Sequence, residues 1–373
     1  MELSPVLAAT PLRVLHLYRP QVPSTRAQSI QVVGTCHGLA RRGCHVTLLA
    51  DPPEVGPIPS SDEALAFYGL DPVEGFDLRI APVRGPTARS LWFRKHALTW
   101  IFGAMVSHQE SSVILGRAKR YIDEYLTLPW GPPVVLEAHE VDSLLVDERA
   151  APGMHKLERR LLLEVNGLIT NCEGTLRELE KAHPGILPPN IGVVHNATAP
   201  NRVRRRRPGP DKVVGYAGSL RAFKGLDVLI EAARLLPSEW TLEIAGGSDA
   251  ERAALEPLPK RVRLLGDCAY NDIPDVLSRW HCAVISLEDN LFGRSLTNPL
   301  KVWDYLAAGI PIVAPELPSI REVLDERSSW YLPGDAQSLA RAIVASPRAG
   351  VRCLRSWDTR ADEVMRVLTE ALR

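Results

Sequence analysis

The sequence predicts an α/β protein of two doubly wound, Rossmann-like domains facing a central cleft, and three observations carry that expectation. Short apolar runs alternate with amphipathic segments along most of the chain, the pattern of strands joined by crossover helices. The alternation breaks once, in the aperiodic stretch "TAPNRVRRRRPGPDK", and then begins again. At 373 residues the chain also exceeds what a single core usually supports.

The first strand is "LRVLHLY" (12–18), followed by the polar loop "RPQVPSTRAQS", the amphipathic helix "IQVVGTCHGLARRG" and the strand "HVTLLA". "DLRIAPV", "SSVILGR", "PPVVLEAHE", a helix within "MHKLERRLLLEV", "GLITNC" and "IGVVHNA" continue the alternation. These segments define an N-terminal domain over 1–200. Residues 201–211, with four consecutive arginines, read as an exposed linker rather than a nucleic-acid footprint. The second domain spans 212–350. It runs through "KVVGYAGSL", the helix "GLDVLIEAARLLP", "WTLEIAGG", "VRLLGD", "IPDVLSRW", "CAVISL", the loop and helix of "SLTNPLKVWDYLAAG", "IPIVAP" and a helix within "AQSLARAIVAS". The last segment, 351–373, has helical amphipathic spacing and is expected to pack back toward the N-terminal domain.

Composition narrows the classes of partner. The 44 basic residues balance 44 acidic ones, so there is no global attraction to nucleic acid or an anionic membrane. The six cysteines have no metal-ligand or CxxC spacing, which predicts free buried thiols, a reducing compartment and no structural metal. "MELSPVLAATPLRVLHL" lacks the basic start of a signal peptide, and no run is long and apolar enough to span a bilayer. The expected location is cytoplasmic, with the inner membrane face as a peripheral alternative. That alternative rests on 90–106, "SLWFRKHALTWIFGAMV", where a helix buried in the first domain competes with one lying at a membrane interface.

Several residues point to chemistry. In "SLTNPLKVWDYLAAGIPIVAP", Asn298 reads as an N-cap with Pro299 at the first helical position, and Asp304 is a carboxylate on a helix otherwise shaped for packing. Its alternatives are a solvated acid or a ligand contact beside an anion held at the helix N-terminus. Gly218, Ser219 and Lys224 lie in a strand-to-helix turn suited to phosphate, although neither a Walker A loop nor a GxGxxG fingerprint is present. Gly246, Gly247, Gly266, Asp267 and Cys268 mark two further strand ends at the same switch-point crevice. In the first domain His139 and Glu140 end a strand. Position 143 is Ser, which excludes an HExxH zinc motif. Arg26 and Ser29 are candidates for the opposite wall of the cleft.

"GYAGSLRAFKGLDVLIEAARLLP", "RVRLLGDCAYNDIPDVLSRWHCAVISL" and "LTNPLKVWDYLAAGIPIVAPELPSIREVL", with "LITNCEG…VVHNA" before the linker, together resemble the retaining, nucleotide-sugar-dependent glycosyltransferases of family 4 (glycosyl transferases group 1), which have the GT-B fold. The resemblance implies transfer of a sugar from a nucleotide diphosphate sugar, with UDP- or GDP-sugars foremost, to an acceptor hydroxyl with retention of anomeric configuration. A hexosyltransferase of cell-surface glycan or glycolipid synthesis is implied, acting on a glycan, lipid-linked or small-molecule acceptor without a cofactor or metal. By position, Lys224 would contact the diphosphate, and Thr297, Asn298, Pro299 and Leu300 would underlie the diphosphate and sugar. Asp304 would hold the ribose, Gly266 to Cys268 would face the base, and His139 would sit near the donor sugar and acceptor. Two positions depart from the family pattern. Leu296 stands where a glutamate is common, with Thr297, Asn298 or Asp289 as candidate replacements. Ser219 stands where an arginine often pairs with the lysine, with Arg221 or Arg294 as candidates. A catalytically silent GT-B binding protein and a GT-B nucleotide-sugar epimerase are the alternative readings.

Overall fold

The strands carry apolar residues at consecutive positions, so both of their faces must be covered, which is the condition for parallel sheets flanked by helices. The computed structural model describes residues 10–199, 204 and 206–373. Among them the first sheet is built from β1 (Arg13–Leu17), β2 (His45–Ala50), β3 (Phe76–Ile80), β4 (Ser112–Gly116), β5 (Val134–Ala138), β6 (Gly167–Thr170) and β7 (Ile191–Val193). Its order is β3-β2-β1-β4-β5-β6-β7, with every pairing parallel. The second comprises β8 (Lys212–Ala217), β9 (Trp240–Ala245), β10 (Val262–Gly266), β11 (Cys282–Val284), β12 (Ile312–Pro315) and β13 (Ser329–Tyr331). Its order, β10-β9-β8-β11-β12-β13, is again wholly parallel. In both sheets the chain reverses its direction of travel beside the first strand, which leaves a crevice at the strands' carboxyl ends. The two-domain α/β architecture expected from the alternation is present. The edge strand β13 was not anticipated, because three residues carry no readable period.

The helix Trp357–Glu370 lies on the N-terminal domain. Its buried face, Trp357, Arg360, Ala361, Val364, Val367 and Leu368, sits against the helix Ala27–Arg41. Two glycines permit that approach. A Cβ on Gly34 would lie 2.3 Å from Trp357 Cε2, and one on Gly38 would lie 2.4 Å from the Trp357 carbonyl oxygen. Arg41 and Arg42 then pair with Asp358 and Asp362 at 3.0 and 2.6 Å along the rim. The chain therefore crosses between the domains twice, and the two crossings are bonded: the Thr198 amide donates to the Arg355 carbonyl at 2.9 Å.

One expectation, the burial of every cysteine, needs correction, and two others gain detail. Residues 204 and 207–211 of the linker are exposed, and Arg206 anchors it by donating to the carbonyls of Arg348, Trp280 and His281 at 3.2, 3.1 and 3.0 Å. Arg204 pairs with Asp275 at 3.3 Å, while Arg205 lies outside the described residues, as do 200–203. Cys353 is exposed rather than buried, since it lies on the irregular return to the final helix. The stretch 90–106 falls within the helix Pro86–Ser107, which buries Phe93, Ala97, Ile101 and Ala104 and leaves its other face in solvent. No helix among the described residues is long and apolar enough to cross a membrane.

Arg360 is fully buried, and its guanidinium donates to Glu137, to Thr35 Oγ1 at 2.8 Å and to the carbonyls of Val194 and His195 at 2.7 and 2.8 Å. Replacing it by Met leaves the Glu137 charge buried without its guanidinium, a loss of about 3–5 kcal/mol. Urea denaturation of Arg360→Met should show an unfolding free energy lowered by that amount, and an unchanged value would show the pair to be dispensable.

Candidate functional site

The second domain supplies a cradle of backbone and two lysines. Gly218, Gly246, Gly247 and Gly266 lie at the carboxyl ends of the adjacent strands β8, β9 and β10, with φ of 145°, 108°, 77° and 79°. At Gly246 the conformation and the space both demand glycine, and at Gly218 the conformation does. A Cβ on Gly246 would lie 2.5 Å from the Gly218 carbonyl oxygen, and one on Gly218 would lie 2.8 Å from Lys301 Nζ. Lys301 stands over the Tyr216 ring at 3.6 Å, while Lys224 lies near the Phe223 and Phe292 rings at 4.8 and 5.4 Å. Neither lysine has an acidic partner among the described residues. Loss of solvent, then the nearby Arg221, brings the Lys224 ammonium down to about 8. Loss of solvent, then Lys224, holds Lys301 well below the usual lysine range. Burial disfavours the charged form of both lysines, Arg221 adds to this at Lys224 and Lys224 adds to it at Lys301, and an anion beside them would favour the charged forms.

The loop and helix of "TNPLKVWD" differ in detail from expectation. The helix is Leu300–Ala308 and its N-cap residue is Pro299, not Asn298. The Asn298 side chain is engaged elsewhere: its Oδ1 accepts from the Asn196 amide at 2.8 Å and from Trp303 Nε1 at 2.9 Å. Asn196 Nδ2 returns a bond to the Asn298 carbonyl at 2.6 Å. Asp304 accepts from Thr198 Oγ1. The helix start is thus tied to the segment that leaves the N-terminal domain. Thr297 and Asn298 are buried, whereas Ser219, Arg221 and Asp267 are exposed at the rim and Cys268 is half-buried. Leu296 is buried among side chains of the N-terminal core. Of its candidate replacements, Asp289 is bound to Arg294 through both carboxylate oxygens, so each of these residues is occupied by the other.

The first domain contributes His139, held by a network the sequence did not reveal. Glu137, at an interior position of β5, accepts from His139 Nε2 at 3.0 Å, from Gln31 Nε2 at 2.8 Å and from Arg360. Burial alone would raise its carboxyl, but Arg360, then His139 and His16, hold it well below the usual carboxylate range. An ionised Glu137 only accepts, so His139 donates through Nε2 and keeps Nδ1 as an acceptor. Burial, reinforced by Arg117, brings the His139 imidazole down to about 4, so it is neutral at pH 7. Arg117 itself donates to Gln31 Oε1 at 2.8 Å.

The other first-domain candidates are less involved. The Glu140 carbonyl accepts from Lys119 Nζ at 3.2 Å. Arg26 is exposed, and Ser29 is fully buried with its Oγ unpaired, so it does not line an open wall. Signals for the missed residues were present. Glu137 is an acid inside an apolar strand, Arg360 is a cation on the apolar stripe of the last helix, and Lys301 lies two residues after Pro299.

Contacts on both sides hold the domains together. His195 Nε2 and the Glu173 amide meet Glu322 Oε1 at 2.6 and 2.8 Å, and Phe67 stacks on Tyr270 with centroids 6.3 Å apart. Asn271 Nδ2 donates to the Ala66 carbonyl at 3.0 Å.

Family comparisons agree with the two-domain architecture. Residues 27–197 match the family described as glycosyl transferase 4-like domain, and residues 211–346 match glycosyl transferases group 1. Each half of the chain is a glycosyltransferase domain, and the fold is GT-B. Among solved structures, this glycosyltransferase chain is similar to sucrose-phosphate synthase from Thermosynechococcus elongatus, at 16% identity and a TM-score of 0.67 over 97% of this chain and 96% of that one. HepE of Anabaena, solved in complex with UDP-glucose, matches at 15% identity and 0.63 over 97% and 92%. WaaG, a glycosyltransferase involved in lipopolysaccharide biosynthesis, matches at 13% identity and 0.61 over 96% and 95%. No curated protein matches the chain in sequence.

The neutral His139 gives a pH prediction. Its ordinary value is 6.5 and its folded value about 4. Between these the unfolded chain binds the extra proton, so stability falls as pH is lowered through this window, by about 3 kcal/mol at most. Urea midpoints of wild type and His139→Gln across it should converge towards pH 4; parallel curves would contradict the buried neutral imidazole.

Proposed function

We propose that this GT-B glycosyltransferase moves a hexose from a nucleotide diphosphate sugar, UDP- or GDP-linked, to an acceptor hydroxyl with retention of configuration, in the assembly of a cell-surface glycan or glycolipid. The observation that carries the reading is the pair Lys224 and Lys301, two cations without acidic partners among the described residues, beside the glycine-lined strand ends. A diphosphate placed there gains negative charge as the glycosidic bond breaks, so both lysines stabilise the transition state more than the ground state. Asp304 exchanges the Thr198 hydroxyl for those of the ribose. The base lies along Gly266 to Cys268. No metal or cofactor is assigned a role.

His139 faces the transferred sugar or the acceptor hydroxyl through the acceptor Nδ1. No carboxylate is assigned as a covalent nucleophile, since Glu137 is committed to Arg360 and Leu296 replaces the carboxylate of the family pattern. Attack therefore proceeds on the face the leaving diphosphate occupies, and the departing phosphate takes the acceptor's proton. Leu296 also favours a second reading, a binding protein without turnover, and donor hydrolysis in the absence of acceptor separates the two.

Thermal shifts with UDP, GDP, ADP, dTDP and their sugar conjugates test the site. A nucleotide at about 100 times its Kd stabilises the chain by about 2.7 kcal/mol, and Asp304→Asn should lose most of that gain. No shift with any nucleotide would remove the transferase reading. The lysines give a second test. Below about pH 8 Lys224 is charged and binding is full; above it, affinity for the nucleotide diphosphate should fall as the ammonium loses its proton. Calorimetric titration of Lys224→Met should show roughly ten- to hundredfold weaker binding and no such decline. A wild-type affinity flat through this range would contradict the assignment.

A further inference from the structure

We propose that the outward face of the helix Pro86–Ser107 is a docking surface for an anionic lipid bilayer. The helix buries Phe93, Ala97, Ile101 and Ala104 in the N-terminal core and turns Leu91, Leu98, Phe102 and Val106 outward, at exposures of 63, 40, 51 and 85%. These four positions recur at helical spacing along one stripe about 22 Å in length. Trp130 extends it, packed on Phe102 with centroids 4.8 Å apart and itself 39% exposed. Scattered single apolar residues on a surface need no partner, but four on one helical face, broken by Lys95 and with an indole beside them, form a patch that does.

Charge selects the occupant. In a chain with equal numbers of acids and bases, this 22-residue helix contains no acid and carries Arg89, Arg94 and Lys95. Arg94 is paired with Glu124 at 2.7 Å and Arg89 lies 3.4 Å from Asp51. Lys95, on the exposed side, and Arg120, exposed on the neighbouring short helix, carry no ion pair among the described residues. Glu110 lies just beyond the helix end. Apolar side chains with basic neighbours suit the acyl and headgroup layers of an anionic leaflet. A second copy meeting this face about a two-fold axis would bring the two Lys95 residues into the same contact region, which disfavours self-association. The helix lies on the bilayer rather than crossing it.

The inference goes beyond the catalytic reading and is tested without donor or acceptor. The full chain is floated with vesicles of phosphatidylcholine alone and of phosphatidylcholine mixed with phosphatidylglycerol, at low and raised salt. Wild type should float with the anionic vesicles, at least tenfold less with the neutral ones, and less as salt rises. The double variant Phe102→Glu, Val106→Glu should lose flotation at least tenfold while keeping its thermal midpoint and its nucleotide response, and Lys95→Ala should weaken it several-fold. Wild type remaining in the aqueous phase with both vesicle types, or the double variant floating like wild type, overturns the proposal. So does a dimer in light scattering that Phe102→Glu dissociates while vesicles are ignored, since a second copy would then be the occupant. In each case nucleotide binding is read separately.

Discussion

The buried pairing of Glu137 with Arg360 joins the last helix of the chain to a central strand of the first domain, and much of the site's geometry follows from it. A lone carboxylate in that position would be protonated or would open the strand to water. With the guanidinium against it, it stays ionised and dictates the tautomer of His139. The same guanidinium caps the carbonyls of Val194 and His195, where the chain leaves the N-terminal domain. Fold, interdomain crossing and imidazole state therefore share one cation.

The two walls of the cleft are electrostatically unlike. On the first, a neutral imidazole offers a lone pair. On the second, Lys301 lies against Gly218 and Lys224 beside two phenylalanine rings, with no acid among the described residues paired to either. The bonds between Asn196 and Asn298, and between Thr198 and Asp304, place the start of the second wall's helix directly on the crossing.

Much of the architecture was legible because parallel strands and their crossover helices leave a strong local period. The glycines at the strand ends were legible for a similar reason, since a tight strand-to-helix turn needs residues that adopt positive φ. The reading failed where a residue's partner is distant in sequence. Asn298 has the composition of an N-cap, yet its side chain is held by Asn196 and Trp303, and the cap passes to Pro299. Ser29 reads as a polar residue in a loop and is fully buried.

By itself the sequence determined two alternating α/β units, the break between them and the glycine turns at the strand ends, because each is a short-range consequence of burial and backbone conformation. Only the tertiary structure decided that Arg360 from the chain's end charges Glu137, that Lys301 stands beside Lys224, and that Leu296 fills a core position. Those are pairings across tens to hundreds of residues, and they depend on which surfaces meet when the two domains and the last helix pack. No local period encodes that choice.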